Sequence, residues 1–188
     1  MGKVSIERFG EELASIFAGQ KMVVFLCGPS LVDLSVEGAQ LRQNLKDALE
    51  AENFEVVLGE DDGLEDLRAM YGHYAHENEL QFIEGQSNAV VLIASSPGAL
   101  CELGLFSYKK VHADNNKTDF ILIIDERFKG KRSYINEGPV TAIDDFGKVY
   151  HGDLKSFDYQ PIIKRLVRRR AIYFTDTRGR PKSKGRKK

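Results

Sequence analysis

Residues 88–106 read NAVVLIASSPGALCELGLF, and this stretch decides the fold of the chain. Within Asn88–Ala94, every residue after Asn88 is apolar, which is typical of a strand buried on both faces of a parallel sheet. Ser96 and Pro97 then favour the start of a helix, because serine caps helix N-termini and proline is tolerated at the first helical position. A buried strand followed at once by a helix predicts an α/β domain.

Apolar strands alternate with helical segments on both sides of this stretch. The fold class is therefore α/β, with an open, doubly wound, mostly parallel five-stranded sheet of flavodoxin or Rossmann type in a three-layer α/β/α arrangement. We assign residues 1–174 to this domain and 175–188 to a basic flexible tail. We predict strands at 22–27, 54–58, 88–94, 119–124 and 147–151, helices at 5–18, 38–52, 64–84, 97–111 and 159–170, and a loop over 125–146.

The composition excludes several classes of protein. With 42% apolar and 29% charged residues, the 188-residue chain is neither disordered nor collagen-like. It has no apolar run long enough to cross a bilayer and no start shaped like a signal peptide, so we expect a cytoplasmic protein without a membrane partner. The two cysteines, Cys27 and Cys101, are too few for a disulfide framework, and we expect both to be buried core thiols.

The charge is divided unevenly although the net charge is only −1. Residues 162–188 hold twelve lysines and arginines against one acid, so the rest of the chain is strongly acidic. The basic tail has two interpretations: an arm for nucleic acid or another polyanion, or a solubilising tail or strap between subunits. We favour the second, because no aromatic residues are interleaved with the last charges to stack on bases.

A ligand site is expected outside the carboxyl ends of the strands, where loops and helix N-termini of a parallel sheet converge. The residues that follow the first four strands form a small, acid-rich rim there. Acids suit the hydroxyl groups of a ribose, and the free amides of the helix that begins near Gly98 suit a phosphate. The candidate binding residues are Cys27, Gly28, Pro29, Ser30, Ser95, Ser96, Gly98 and Asp125.

Glu102 is the candidate catalytic residue. It is a lone acid in the otherwise apolar helix after the third strand, and we expect this helix to carry the carboxylate toward the strand ends. Gly104, two residues later, favours a close approach by another group. The alternative is that Glu102 is an exposed helix residue or the partner of a lysine such as Lys109.

Several segments resemble nucleoside 2-deoxyribosyltransferases and their N-glycosidase relatives, which are close in architecture to TIR and SLOG domains and include retron and other antiphage effectors. The sharpest match is SxGxxxELG at 96–104, similar to the family's DxGxxxELG. The resemblance implies that Glu102 attacks the anomeric carbon of the sugar and holds it as a covalent intermediate while the base departs. The matching segments are VFLCGPS (24–30), the helix with Arg42, LGEDD (58–62), 88–106 and DFILIIDE (119–126).

This chemistry needs a second acid that protonates or orients the leaving base. The candidates are Asp61, Asp62 and Asp125, and the sequence gives no basis for choosing among them. For any single one of these acids, a solvated loop residue that caps the next helix is the more common interpretation.

Three positions differ from the pattern of the deoxyribosyltransferases. Ser96 and Asn88 stand where aspartates are expected, and Phe25 stands where the first strand is expected to carry a tyrosine. These differences favour hydrolysis of a nucleotide, or of a dinucleotide such as NAD, over transfer between free nucleosides. Serine at the helix N-terminus repels a phosphate less than aspartate does.

We therefore predict an N-glycosidase, related to deoxyribosyltransferases, that cleaves the base–ribose bond of a nucleotide or NAD as an antiphage effector. No cofactor and no metal are expected, and the resemblance implies a homo-oligomer. One alternative is a catalytically weak nucleotide-sensing or regulatory subunit that acts through a partner. Another is a structural subunit whose activity is released only in an assembly.

The segment before the third strand offers a weaker candidate, a metal site. His73 and His76 stand three residues apart, but two ligands without a third acid in register favour a surface or partner-facing cluster. Glu77 and Glu79 could complete such a site, although we expect both to face water. Cys101 has no histidine near it in sequence, so we do not expect it to act as a nucleophile.

Overall fold

The computed structural model describes residues 21–60, 74–112 and 118–176, with no account of the side chains of 174–176. The predicted helix at 5–18 and the residues of the basic tail from 177 onward lie outside the described residues. The elements in chain order are β1 (Val23–Cys27), α1 (Glu37–Ala51), β2 (Glu55–Leu58), α2 (Ala75–Gly85), β3 (Ala89–Ala94), α3 (Pro97–His112), β4 (Asp119–Asp125), α4 (Thr141–Phe146), β5 (Lys148–Gly152) and α5 (Gln160–Asp176).

The five strands form one sheet in the order β2-β1-β3-β4-β5, and every neighbouring pair is parallel. The predicted fold class is confirmed, and the order is that of flavodoxin-like folds. The chain runs outward from β1 to β2 and then returns past β1 to β3. The direction of strand addition thus reverses between β1 and β3, which is where ligands bind in open α/β sheets.

Helices cover both faces of the sheet. On one face, α1 and α5 pack against β1 and β3 through buried residues such as Leu45 and Ile162. On the other face, α2, α3 and α4 bury residues that include Phe82 and Phe106, whose rings lie 5.2 and 6.4 Å from that of Phe25. The strands β3 and β4 are buried along their whole length, as their continuous apolar sequences predict.

The prediction of a loop over 125–146 is wrong for much of its length. Residues Glu126–Phe128 form a 3-10 turn, and a π-helical turn at Asn136–Val140 leads directly into α4. Val140 and Ile143 are three residues apart and both are buried against the sheet. The buried residues of this segment are few, Pro139 and Val140 in the π-helical turn and Ile143 in α4, which explains why their polar neighbours concealed the helix in the sequence.

Two other predictions need correction. The helix predicted over 64–84 begins at Ala75, because Tyr74 has an extended backbone; residues 61–73 are not described. Cys27 is buried as predicted, but Cys101 is exposed. The face of α3 that packs on the sheet carries Leu103 and Phe106, and Cys101 lies on the side of the helix away from it.

No helix in the described ranges combines the length and apolar character needed to span a bilayer.

Candidate active site

A cavity of about 360 Å³ lies at the carboxyl ends of β1 and β2, beside the reversal in strand order. Five separate segments of the chain supply its walls: the end of β1 and its following turn, α1, the end of β2, α2 and α3. Three of its side chains are carboxylic acids and one is a guanidinium. The lining residues are Cys27, Gly28, Ser30, Arg42, Gly59, Glu60, Glu79 and Glu102.

Glu102 projects from α3 into the wall of this cavity and is half-buried. Its Oε2 atom is buried, and no group in the described part of the chain donates a hydrogen bond to it. Burial raises the pKa of the Glu102 carboxyl, and the charge of Arg42 opposes that rise. Ser96 fixes the start of α3, since its Oγ accepts a hydrogen bond from the backbone N–H of Ala99 at 3.2 Å, as expected of an N-cap.

Glu79 also lines the cavity, so the expectation that it faces water is wrong. Burial, followed by the charge of Glu102, raises the pKa of Glu79 to about 7. Its neighbours Phe82 and Ile83, three and four residues later on α2, are buried. This helical spacing was the signal in the sequence that Glu79 lies near the packed face of α2.

Arg42 is only 2% exposed, and hydrogen-bond acceptors of the protein occupy its whole guanidinium group. It donates to the carbonyl oxygens of Leu26 and Pro29, at 2.8 to 3.2 Å, and to both carboxylate oxygens of Glu60, at 2.7 and 2.9 Å. These five bonds use all five N–H groups of the side chain. Arg42 therefore holds the turn after β1 and the carboxylate of Glu60 in place, and it has no donor left for a ligand.

The turn after β1 brings the backbone close to the cavity. Gly28 has a φ of +151°, and a side chain there would press on the backbone and side chain of Ile93. Pro29 is buried and Ser30 is exposed at the cavity. Burial, followed by the charge of Glu102, raises the pKa of the Cys27 thiol well above its usual value, so this cysteine is a neutral wall residue.

The remaining predicted binding residues lie on the rim. Ser95 and Gly98 follow β3 and are exposed. Gly38, at the start of α1, lets that helix approach Ser95 and Pro29 closely. A side chain at Gly38 would collide with the Ser95 hydroxyl. None of these rim residues lines the cavity itself.

Asp125 also lies outside the cavity lining. Its Oδ1 accepts a hydrogen bond from the backbone N–H of Arg127 at 2.8 Å, and its Oδ2 pairs with the guanidinium of Arg127 at 2.7 Å. The bond to Arg127 lowers the pKa of Asp125. The Asp125 carboxylate therefore orients the guanidinium of Arg127 at the carboxyl end of β4. Asp61 and Asp62, the other two candidate acids, lie outside the described residues.

Other expectations on α2 and α3 can be compared with the structure. Lys109 pairs with Glu84, so it is not the partner of Glu102. A side chain added at Gly104 would meet nothing within 4 Å, so this glycine does not mark a close approach. Among the described residues no cluster of acids, histidines and cysteines has the arrangement of a metal site; His73 is outside those residues.

Comparison with known families supplies an independent finding. A family model described as STM3845 retron effector protein matches residues 38–183. This range includes Arg42, Glu60, Glu79 and Glu102. The chain belongs to the STM3845 retron effector family.

A similar curated protein is the "Retron Ec86 putative ribosyltransferase/DNA-binding protein" of Escherichia coli, which is 31% identical over 129 residues. The match covers 69% of this chain and 39% of the relative, so the chain spans about two fifths of the length of that protein. No solved structure matches the chain.

Proposed function

We propose that this retron effector is an N-glycosidase, related to deoxyribosyltransferases, that cleaves the bond between base and ribose in a nucleotide or NAD as a defence against phage. The proposal rests chiefly on Glu102, whose buried Oε2 has no described hydrogen-bond donor and faces a cavity large enough for a sugar. The name of the Escherichia coli relative, a ribosyltransferase, supports the same chemical class.

Two of the three carboxyl groups of the cavity, those of Glu102 and Glu79, suit the two halves of such a reaction. Glu102 is the nucleophile: its carboxylate bonds to C1′ of the ribose while the C–N bond breaks and its electrons go to the base. Arg42 favours the ionised form of both groups, but its charge is the largest influence after burial only for Glu102, whereas for Glu79 the charge of Glu102 outweighs it. The developing positive charge on the sugar ring is stabilised by the same carboxylate.

Glu79 supplies the proton. With its pKa raised to about 7, it carries a proton over much of the neutral range and can pass it to a ring nitrogen of the departing base. A water molecule then attacks C1′, its proton goes to the Glu79 carboxylate, and the bond to Glu102 breaks. Asp61 and Asp62 remain candidates for assisting this step, and the scheme needs no metal or cofactor.

A nucleotide sensor that keeps the pocket without efficient chemistry is the second candidate. Phe25 supports it, since its ring packs in the core against Phe82 and Phe106 and offers no hydroxyl group to orient Glu102. In that case the effector acts through a partner, and the basic residues after 175 are the segment proposed to reach it. We propose that nucleic acid or another retron component is that partner and that the effector itself is a homo-oligomer.

The decisive experiment measures release of free base by chromatography after incubation with NAD and a panel of nucleotides. We expect release by the wild type, and at least a thousandfold slower release by Glu102→Gln, because the amide is a far poorer nucleophile than the carboxylate. Glu77→Gln is the matched control, since Glu77 is exposed on α2 and does not line the cavity.

Two outcomes reject parts of the proposal. Release that survives Glu102→Gln rejects the assignment of the nucleophile. Tight binding of a nucleotide by the wild type with no release of base favours the sensor.

A further inference from the structure

Of the three carboxylates that line the cavity in the described part of the chain, Glu60 is the one to which the reaction scheme gives no role. It follows Gly59 just past the end of β2, at the edge of the sheet where the strands end. It shares the cavity wall with Glu79 and Glu102. Its side chain is 47% exposed, so a ligand in the cavity can contact it.

The Glu60 carboxylate is held in a fixed orientation. Nη1 and Nη2 of Arg42 each donate a hydrogen bond to one of its oxygens, at 2.7 and 2.9 Å. Arg42 is itself immobilised, because it is almost fully buried and also donates to the carbonyl oxygens of Leu26 and Pro29. A bidentate pair fixes the plane of a carboxylate as well as its position. Glu60 is therefore preorganised, which reduces the entropy lost when a ligand binds to it.

The two bonds to Arg42 do not use all the acceptors of Glu60. An ionised carboxylate has about four lone-pair sites on its two oxygens, so about two remain. No other donor in the described ranges bonds to this side chain. A carboxylate offers no donor of its own, and the ligand group that suits it is therefore a donor such as a hydroxyl.

The residue before Glu60 lies beside a second carboxyl group of the cavity. Gly59 has no side chain, and a Cβ atom placed there would lie 3.1 Å from Oε1 of Glu79. Glu79 is the proposed proton donor to the base, so the end of β2 lies beside the bond between base and sugar. The 2′-hydroxyl is the ribose hydroxyl nearest to that bond, because C2′ is bonded directly to C1′. It is thus the donor that best matches Glu60.

We infer that Glu60 accepts a hydrogen bond from the 2′-hydroxyl of the substrate and makes the site selective for ribose over 2′-deoxyribose. This inference rests on the proposed function for the placement of base and sugar in the cavity. A site built to bond a hydroxyl discriminates against the analogue that lacks it, since the acceptor then loses its partner. In glycoside hydrolysis, hydrogen bonds to the 2-hydroxyl also strengthen in the transition state.

The alternative role of Glu60 is to pair with Arg42 and nothing more. The two roles differ in a measurable way. Loss of a purely structural ion pair slows base release from ribonucleotides and deoxyribonucleotides alike, whereas loss of a hydroxyl contact slows release from ribonucleotides alone. The ratio of the two kcat/KM values is therefore the readout, because a general loss of activity or of folded protein cancels in it.

The experiment compares the four ribonucleoside 5′-monophosphates with their 2′-deoxy counterparts, and NAD with its analogue that carries 2′-deoxyribose on the nicotinamide side. We expect the wild type to prefer the ribose form of its substrate by at least about tenfold in kcat/KM. Glu60→Gln should reduce this preference to about twofold or less, because the amide cannot accept from both nitrogens of Arg42 and loses its fixed orientation. Glu55→Gln is the matched control and should keep the preference, since Glu55 is exposed at the opposite end of β2.

Glu60→Asp is a second variant, which keeps a charge opposite Arg42 and withdraws the acceptors by one methylene group. It should reduce the preference by about threefold or more. The inference is overturned if the wild type shows no preference for ribose, if both variants at position 60 retain it, or if Glu55→Gln loses it equally.

Calorimetry separates this inference from the chemistry, because the same pairs of ligands can be compared by Kd with Glu102→Gln protein. We expect the preference for ribose in binding to depend on Glu60 there as well. A preference that depends on Glu60 in binding, without any release of base by the wild type, would refute the glycosidase and leave the hydroxyl contact standing. Base release by the wild type with equal rates for both sugars would refute the contact and leave the glycosidase standing.

Discussion

The guanidinium of Arg42 meets both oxygens of the Glu60 carboxylate, although Arg42 is almost fully buried and Glu60 is about half exposed. This asymmetry sets the cost of removing each partner. Without Arg42, the carbonyl oxygens of Leu26 and Pro29 lose their donors in the protein interior. Without the Glu60 charge, Arg42 keeps its backbone acceptors and can recruit water.

Arg42→Met should lower the free energy of unfolding by about 3 kcal/mol, and Glu60→Gln by only about 1 kcal/mol. Urea denaturation followed by circular dichroism measures both values. Lys46→Met, at a partly exposed position of α1 where the lysine pairs with Glu50 one turn later, is the control and should change stability by less than about 0.5 kcal/mol. Equal losses for the two variants of the pair would contradict the view that Arg42 acts mainly through the turn after β1.

Glu79 should make the protein less stable as the pH rises. Its pKa is about 7 when folded, compared with 4.5 in the unfolded chain, so between these values the native state binds more protons and stability falls with increasing pH. Above pH 7, Glu79→Gln should be more stable than wild type by on the order of 1 kcal/mol, a figure discounted for the partial exposure of this carboxyl. Thermal unfolding at pH 5 and pH 8 checks this prediction, with Glu77→Gln as the control. If Glu79→Gln is stabilised equally at both pH values, the raised pKa of Glu79 is not the cause.

The protonation state of Glu79 should also determine how the rate of base release depends on pH. If protonated Glu79 donates to the leaving base, activity on purine or pyrimidine nucleotides falls as the pH rises above about 7. Glu79→Gln should lower the rate by ~10²-fold or more and abolish that decline. Nicotinamide leaves NAD as a neutral molecule and needs no proton, so its release should be affected much less. A variant that slows both substrates equally would assign Glu79 a structural role.

Gly38 and Ser95 should be energetically coupled. A methyl group at Gly38 would collide with the Ser95 hydroxyl, so Gly38→Ala should cost about 1–3 kcal/mol of stability through overpacking. Ser95→Gly removes the colliding hydroxyl, and the double variant should recover about half of that loss or more. A double-variant cycle by chemical denaturation tests the coupling, and additive losses would show that the two segments are free to move apart.

The sequence was sufficient to predict the strands and the position of Glu102 near the strand ends, for a simple physical reason. Buried parallel strands must be apolar on both faces, so Ala89–Ala94 and the core of Asp119–Asp125 stand out from their surroundings. An acid within an apolar helix that packs on a sheet is equally conspicuous, because burying a carboxylate requires a compensating role.

Arg42, Glu60 and Glu79 were harder to find as a group. Each comes from a different element, and their convergence depends on β2 lying beside β1 at the edge of the sheet. No local pattern encodes that order. The expectation that Glu79 faces water is wrong because the direction of α2 is set by the burial of Phe82 and Ile83 against the sheet.

The contrast between the two cysteines provides a ready means of following the site in solution. Cys27 has a neutral and almost fully buried thiol, whereas Cys101 is exposed to reagents and immediately precedes Glu102 on α3. A maleimide fluorophore added to the unaltered protein will therefore attach at one place, on the outer surface of the helix whose next residue lines the cavity. Such a label would report occupancy of the cavity by a change in emission, without any engineered attachment point.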